Sequence, residues 1–470
     1  MIFRLAWRSL AARPIRSAVL AGGFGLGVAV MAALLGIGGA ILEQARVPAL
    51  VGGGDVAIVG ASGRIPNARF VLSSVLGSAP LDARIAVAAP TLESPLYLIE
   101  GDGTATPIRA TGGIPSLERR LGEPEIRRAG DWRDTPADRA WASPDPGALL
   151  REIDRFHAVP DVPARADSWA EWLYFNGRTA DARFYLTFLA GPSRASGERE
   201  MGVRLQLERA GRMTSYADRA TVNAASLLEN APDLTVGRSR VRLVGTDYHI
   251  TLDLPAEAGR ARASGEIVVH ATPGRSLPPL SIRGAGGWVS GYVVPVMSGT
   301  LDGSLQVGTE TIALTGGAAY HDHNWGFWDG VSWQWGQVQG GGLSFVYGRV
   351  HPPADAADPA RIPGFLAAIG PQGLVGYATD VRIDEINDPA TGRPRRIVVR
   401  GEGTSLALTF DLAVTQTTVT ARQASVASAL DFLQLRGTCH VEGQAGGRPV
   451  NFTAAASAET FRGRRERSSH

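Results

Sequence analysis

The residues best suited to chemistry lie in one short stretch, AAYHDHNWGFWDGVSWQWG, residues 318–336. It holds Tyr320, His321, Asp322, His323, Asn324 and Trp325, then Trp328, Trp333 and Trp335, so four of the chain's 10 tryptophans fall here. On an extended backbone side chains alternate, which points His321, His323 and Trp325 one way and Asp322 and Asn324 the other. One face then joins two titratable imidazoles to a flat apolar surface, a floor suited to a largely apolar ligand. The plainer reading is structural: tryptophans fill β cores, and a buried His or Asn often only satisfies backbone groups. Two histidines at i and i+2 can share a metal, but no third convergent ligand and no H-E-x-x-H helix is visible. No metal and no cofactor is expected.

A second stretch, EWLYFNG over Glu171–Gly177, splits the same way. Glu171, Leu173 and Phe175 share one face, while Trp172, Tyr174 and Asn176 share the other. Here the structural alternative is an entry strand that locks the first sheet.

Composition excludes several chemistries. All 47 basic residues are arginine, so there is no Schiff-base lysine and no P-loop lysine to reach a nucleotide phosphate. ATP-driven work needs another polypeptide. The single Cys439 allows no intramolecular disulfide and no thiolate metal cluster, and reads as a small buried apolar residue. The 47 basic and 45 acidic residues nearly cancel, which gives no electrostatic footprint for nucleic acid. No G-x-S-x-G nucleophile elbow occurs.

These residues need strands to position them. With 58 glycines and 29 prolines, many turns between short strands are expected. Period-2 alternation recurs at Val203, Leu205 and Leu207, at Tyr248, Ile250, Leu252 and Leu254, and at Leu406, Leu408, Phe410 and Leu412. These are half-buried antiparallel strands. They fall into two β blocks, 167–299 and 300–465, divided near PVMSGTLDG, with a cleft between them as the natural ligand site. Residues 129–166, dense in Arg, Asp and Pro, read as a linker with a short helix over residues 148–157.

From Ser17 to Leu42 no charge occurs, in a run longer than the 20 or so residues a bilayer core requires. Arg4, Arg8, Arg13 and Arg16 precede it, so the positive-inside rule places the tip in the cytoplasm. Residues 1–45 are therefore expected to be a single-pass inner-membrane anchor, with the C-terminal body in the periplasm or outside. A cleaved signal peptide is the competing reading. No later stretch is long and apolar enough to cross again.

Two resemblances carry this further. LAWRSLAARPIRSAVLAGGFGLGVAVMAALLGIGGAILEQAR looks like the opening of FtsX-like ABC-transporter permeases, and VGGGDVAI through GGIPSLERRLG, within 46–128, looks like the start of their extracytoplasmic domain. The body resembles the AttH/CrtC family, through EWLYFNG, RFYLTFLAG, YHDHNWG and the closing AETFRG. That resemblance implies two lipocalin-like antiparallel β domains with an apolar pocket between them. For the hydratase branch it also implies acid-assisted addition of water across an isolated carbon–carbon double bond. His323 and Trp325 match the family's His-x-Trp, which implies a proton-relay group and a cation-stabilising face. The family's downstream Tyr-x-Asp is met here by Tyr347-Gly348-Arg349, and an arginine cannot donate that proton at neutral pH. Asp322 and Asp329 are then the candidate substitute acids, with Asp322 facing away from His323 on a regular strand.

The expectation is thus a mainly β protein with one N-terminal transmembrane helix and two lipocalin-like domains. It would serve an ABC-type export system as an AttH-like accessory, beside permease and ATPase subunits, binding a lipid or isoprenoid. The alternative is a membrane-tethered hydro-lyase or isomerase of the carotenoid 1,2-hydratase type. His323, Trp325, Asp322 and Tyr347 are the catalytic candidates. Tyr320, His321, Asn324, Trp328, Trp333, Trp335, Glu171, Trp172, Tyr174 and Asn176 are the ligand-binding ones.

Overall fold

The computed structural model describes Ile15 and residues 56–463, apart from 61–63, 66, 78–80, 82, 124–130, 195, 257–260 and 421–429. The expected membrane anchor, bar one residue, lies outside the described residues. Among the described residues no helix is long and apolar enough to cross a membrane.

The chain divides into two compact units, one of Met1–Ile65 with Val87–Thr135, the other of Pro66–Ala86 with Pro136–His470. In the first, strands Thr91–Ile99 and Ala105–Gly113 form an antiparallel hairpin. The helix Pro115–Leu121 follows, opened by proline at its first turn and closed by Gly122, whose φ of 94° suits the left-handed cap.

The second unit is built from two antiparallel sheets, each curled into a nearly closed barrel. The first has the strand order Arg212–Asn223, Glu198–Arg209, Ala182–Ser193, Trp169–Arg178, Gly317–Phe327, Val289–Val307, Ala263–Ala271, Asp247–Leu254, Ser239–Val244, Leu234–Val236. The second runs Gly373–Ala378, Phe365–Gly370, Leu343–His351, Ser332–Gly340, Arg448–Gly463, Leu430–Ala445, Leu406–Thr420, Pro394–Gly403, Asp380–Asn387. The three alternating runs read from the sequence are buried on one side of their strands, and Cys439 is buried in the second barrel.

Two boundaries need correction. The nineteen-residue strand Val289–Val307 passes straight through residues 299 and 300, and the first sheet continues to Phe327. Gly299 and Gly303 are not breaks: a Cβ at either would overlap a neighbouring carbonyl, of His270 or Glu266, so glycine is what the close strand approach demands. The change of sheet falls at 328–331. The second correction concerns 129–166. The helix there is Pro146–Ile153, capped by the Asp145 carboxylate on the Ala148 N–H at 3.0 Å. Leu149, Leu150 and Ile153, with Phe156 beyond, share the core of the first barrel, so residues 146–156 plug the barrel instead of linking across it.

Three apolar clusters result: one inside each barrel and a third, holding Tyr174, Tyr185, Tyr320, Trp335 and Val346, in the seam where the barrels meet.

Candidate active site

The strand Gly317–Phe327 belongs to the first barrel but is buried on both faces, one inside the barrel and one in the seam. It pairs with Trp169–Arg178 in a register that sets Tyr320 beside Asn176, Asp322 beside Tyr174 and Asn324 beside Trp172. The alternate residues, His321, His323 and Trp325, lie beside Phe175, Leu173 and Glu171.

The inner face carries an ionic core. Asp154, at the C-terminal end of the plug helix, sets Oδ2 3.0 Å from His321 Nε2 and Oδ1 3.0 Å from His323 Nδ1, and accepts the Tyr248 hydroxyl at 2.9 Å. The other His323 nitrogen is 3.0 Å from Glu171 Oε1, while His321 Nδ1 donates to the Tyr174 carbonyl at 3.0 Å. Glu171 also accepts the His157 backbone N–H and lies 2.7 Å from His157 Nδ1, with Arg199 Nη1 3.9 Å away. All four of Asp154, Glu171, His321 and His323 are 0% exposed.

Burial would raise the Asp154 pKa, and a carboxylate at a helix C-terminus is opposed by the dipole. The charge and hydrogen bonds of His321 and His323 outweigh burial and hold it at about 2. Burial likewise works against a charged His323, but hydrogen bonds and charge from Asp154 and Glu171 lift it to about 9. Glu171 is held below its usual range against its burial by His157 and His323. Around His323 the Asp154 and Glu171 carboxylates thus face its imidazolium, with the Arg199 guanidinium beside Glu171. His157, Glu171 and His323 offer three ligand atoms within 4.8 Å, the convergent third ligand that the sequence did not reveal. Here, however, both ring nitrogens are spent on one carboxylate oxygen, and Arg199 stands against its partner oxygen, an arrangement that repels a further cation.

The outer face is different. Tyr320 donates its hydroxyl to Asp322 Oδ2 at 3.0 Å, Asn324 donates to Oδ1 at 2.8 Å, and Tyr320 is 2.7 Å from the Tyr292 hydroxyl. Trp335, from the second barrel, donates its indole N–H to the Tyr292 oxygen at 3.0 Å. This is a continuous chain from Trp335 to Asp322. Among the described residues no cation pairs with Asp322; its burial first, then the charge of Glu459, push its pKa well above the carboxylate range. Burial lifts Glu459 to about 7. The Tyr174 ring meets Trp335 edge-on at 5.8 Å, and Trp172 lies 5.9 Å from Trp333. The Tyr174 hydroxyl, Asn176 Nδ2, Gln434 Oε1 and Glu459 Oε1 are buried yet lack a well-formed hydrogen bond, which marks a place for an outside polar group.

The candidates thus separate. Tyr320, Asp322, Asn324, Trp172, Tyr174, Asn176, Trp333 and Trp335 gather in the seam. His321, His323, Trp325 and Glu171 are shut inside the first barrel, where Trp325 stacks on His157 at 4.1 Å. Trp328 sits in the first barrel's core, its N–H on the Ala170 carbonyl at 2.8 Å. Tyr347 lies in the second barrel's core, away from the rest, its phenol pKa raised by burial. His323 and Trp325 thus do not line the space between the barrels; Asp322 and the tyrosines do. Sequence reading missed Asp154, Tyr248, Arg199 and His157 inside, and Tyr292 and Glu459 at the seam. Glu459 had a signal, since it stands in AETFRG, and Tyr248 stood in an alternating run.

No protein-family model matches the chain, and no curated protein does. Among solved structures, a putative AttH from Nitrosomonas europaea aligns over 66% of this chain and 98% of its own, at 15% identity and a TM-score of 0.43. Kievitone hydratase from Nectria haematococca aligns over 66% and 93%, at 14% identity and a TM-score of 0.42. CghA with Sch210972 aligns over 68% and 96%, at 12% identity and a TM-score of 0.43.

Proposed function

We propose that the chain is a hydro-lyase or isomerase that works by proton transfer on an apolar, unsaturated substrate, of the carotenoid 1,2-hydratase kind. The observation that carries this is Asp322: a carboxyl buried in an aromatic seam at the end of a hydrogen-bond chain, its pKa pushed well above the carboxylate range by burial and by Glu459. A neutral carboxylic acid in such a site is a general acid at neutral pH.

Asp322 gives its proton to one carbon of the double bond, and the π electrons form the new C–H bond. The cation left on the other carbon is met by the faces of Tyr174 and Trp335. Water adds its oxygen there and releases a proton to Glu459, poised near neutrality to take it. Tyr174 stands beside both carboxyls, and return of that proton from Glu459 to Asp322 closes the cycle. Loss of a proton in place of water capture yields an isomerised double bond. The half-exposed Trp172 and Trp333 form the outer edge of the seam.

Incubation with an acyclic carotenoid and a search for the mass gain of one water tests this, with Asp322→Asn as control. Product that persists in that variant, or no product from the native chain, overturns the proposal. The single-pass anchor with the barrels in the periplasm is a separate proposal that the chemistry does not require. A role beside a permease and ATPase draws on the joining of the permease-like residues 1–125 to the AttH-like body, and no described side chain argues for it.

A further inference from the structure

Four successive rungs cross the seam, and their chemistry changes in one direction. On the first barrel the paired strands present Asn324 and Trp172, then Asp322 and Tyr174, then Tyr320 and Asn176, then Ala318 and Arg178. On the second barrel the paired strands present Trp333 and Phe461, then Trp335 and Glu459, then Gln337 and Ser457. Contacts across the seam show that the rungs face each other in that order: Trp172 with Trp333, Tyr174 with Trp335, Gln337 Nε2 on Asn176 Oδ1 at 3.2 Å, and Arg178 Nη1 on the Ala455 carbonyl at 3.0 Å. One end is aromatic, the middle is acidic, and the far end is made of donors.

That far end holds two arginines side by side. Arg183 is the cross-strand partner of Arg178, and burial together with the neighbouring charge depresses the Arg178 pKa. Arg183 reaches only the Tyr185 and Ser457 hydroxyls and the Ala456 carbonyl. Among the described residues neither arginine has a carboxylate within ion-pair distance. Both line a narrow cleft with Asn176, Gln337, Gln339 and Ser457, in which the Asn176 amide nitrogen is buried without a partner. Glu208, the cross-strand neighbour of Arg183 on its other side, is taken up by Arg436, so two guanidinium groups outside any ion pair and an unpartnered amide donor border one small cleft, a setting that attracts an anion.

We infer that the substrate is an amphiphile: an unsaturated hydrocarbon bearing one terminal anionic group, with the anion on Arg178 and Arg183 and the chain running past Asp322 toward Trp172 and Trp333. This rests on the seam being the site proposed above and adds the class of molecule that fills it. Four residues separate Arg178 from Tyr174 along one strand, so at about 3.3 Å per residue the head sits roughly 13 Å from the acid. The reacting bond is then about ten carbons from the head group, not next to it.

The test is binding, read from tryptophan fluorescence of the full chain with oleate, oleyl phosphate and oleyl alcohol. Either anionic lipid should bind at least tenfold more tightly than the alcohol, and the better of the two identifies the head group. Replacing both Arg178→Gln and Arg183→Gln should remove that preference while leaving alcohol binding in place; Arg178→Lys with Arg183→Lys should restore it. Equal affinity for all three lipids, or no binding of any, overturns the inference. Head-group preference without turnover of any bound lipid leaves the inference standing and counts against the proposed reaction alone.

Discussion

Asp322 and His323 are adjacent in the chain, and their side chains occupy opposite faces of one strand: the carboxyl closes a hydrogen-bond chain in the seam, while the imidazole is clamped between Asp154 and Glu171 inside the first barrel. Both are pushed away from their usual protonation, Asp322 by its burial and His323 by its two carboxylates in spite of burial, in ways that suit different tasks. Asp322 keeps a proton it can give away. His323 keeps one that two carboxylates will not release.

Asp322→Asn should therefore leave the fold intact and stop the reaction. The amide keeps the shape and still accepts the Tyr320 hydroxyl, but it has no acidic proton. Turnover should fall roughly a hundredfold or more, with little change in substrate affinity, as steady-state kinetics would show. A parallel loss of thermal stability would point instead to a structural carboxyl.

Glu459→Gln should act at a distance. The Glu459 charge helps to keep Asp322 protonated, so removing it lowers the Asp322 pKa and moves the alkaline limb of the pH–rate profile to lower pH. Because the proposed base is also lost, the maximum rate should drop. An alkaline limb that stays where it was would detach Glu459 from Asp322.

Gly291→Ala should destabilise the first barrel. A Cβ at Gly291 would overlap the Trp325 indole, which fills the space beside this strand and stacks on His157. Overpacking of this kind costs about 1–3 kcal/mol, measurable by chemical denaturation. A neutral effect would mean that Trp325 can leave its slot.

How much of this the sequence disclosed follows from where each signal came from. Alternation revealed strands such as Asp247–Leu254, because one face meets the core and the other does not. It also separated Asp322 from His323 correctly. It could not say which face was the barrel interior, since the seam buries the outer face of Trp169–Arg178 and Gly317–Phe327 as well. Asp154 was hidden because its histidine partners are more than 160 residues away, and a stretch dense in Arg, Asp and Pro reads as linker. The available clue was the Asp145-Pro146 start followed by Leu149, Leu150 and Ile153, an amphipathic turn with a capped beginning. Tyr292 carried no local signal, because its role exists only once Trp335 arrives from the other barrel.

Asp154→Ala should cost far more than a surface change. It strips His321, His323 and Tyr248 of a shared acceptor and leaves positive charge buried without its counter-ion. Removing one partner of a buried ion cluster typically costs about 3–5 kcal/mol. Urea denaturation should register that loss, and barrel unfolding should precede any effect on catalysis. A variant of native stability would show the network to be dispensable.

The same ionic core predicts how stability follows pH. The folded His323 pKa is raised to about 9 from 6.5, so its contribution is complete below 6.5 and is lost as pH climbs from there through 9. The folded Asp154 pKa is depressed to about 2 from 3.8, so its contribution is present above 3.8 and is lost as pH falls toward 2. Between those limits the first barrel should be most stable, on a plateau from about pH 4 to about pH 6.5. A guanidinium midpoint taken at about pH 5.5 should exceed one taken at about pH 9.5 by the equivalent of roughly 3 kcal/mol. His323→Gln starts from a weaker fold but removes the group that titrates, so its midpoint should change much less over that alkaline range. If native protein and variant lose stability in parallel there, the alkaline loss belongs to another group and His323 is not held charged between its two carboxylates.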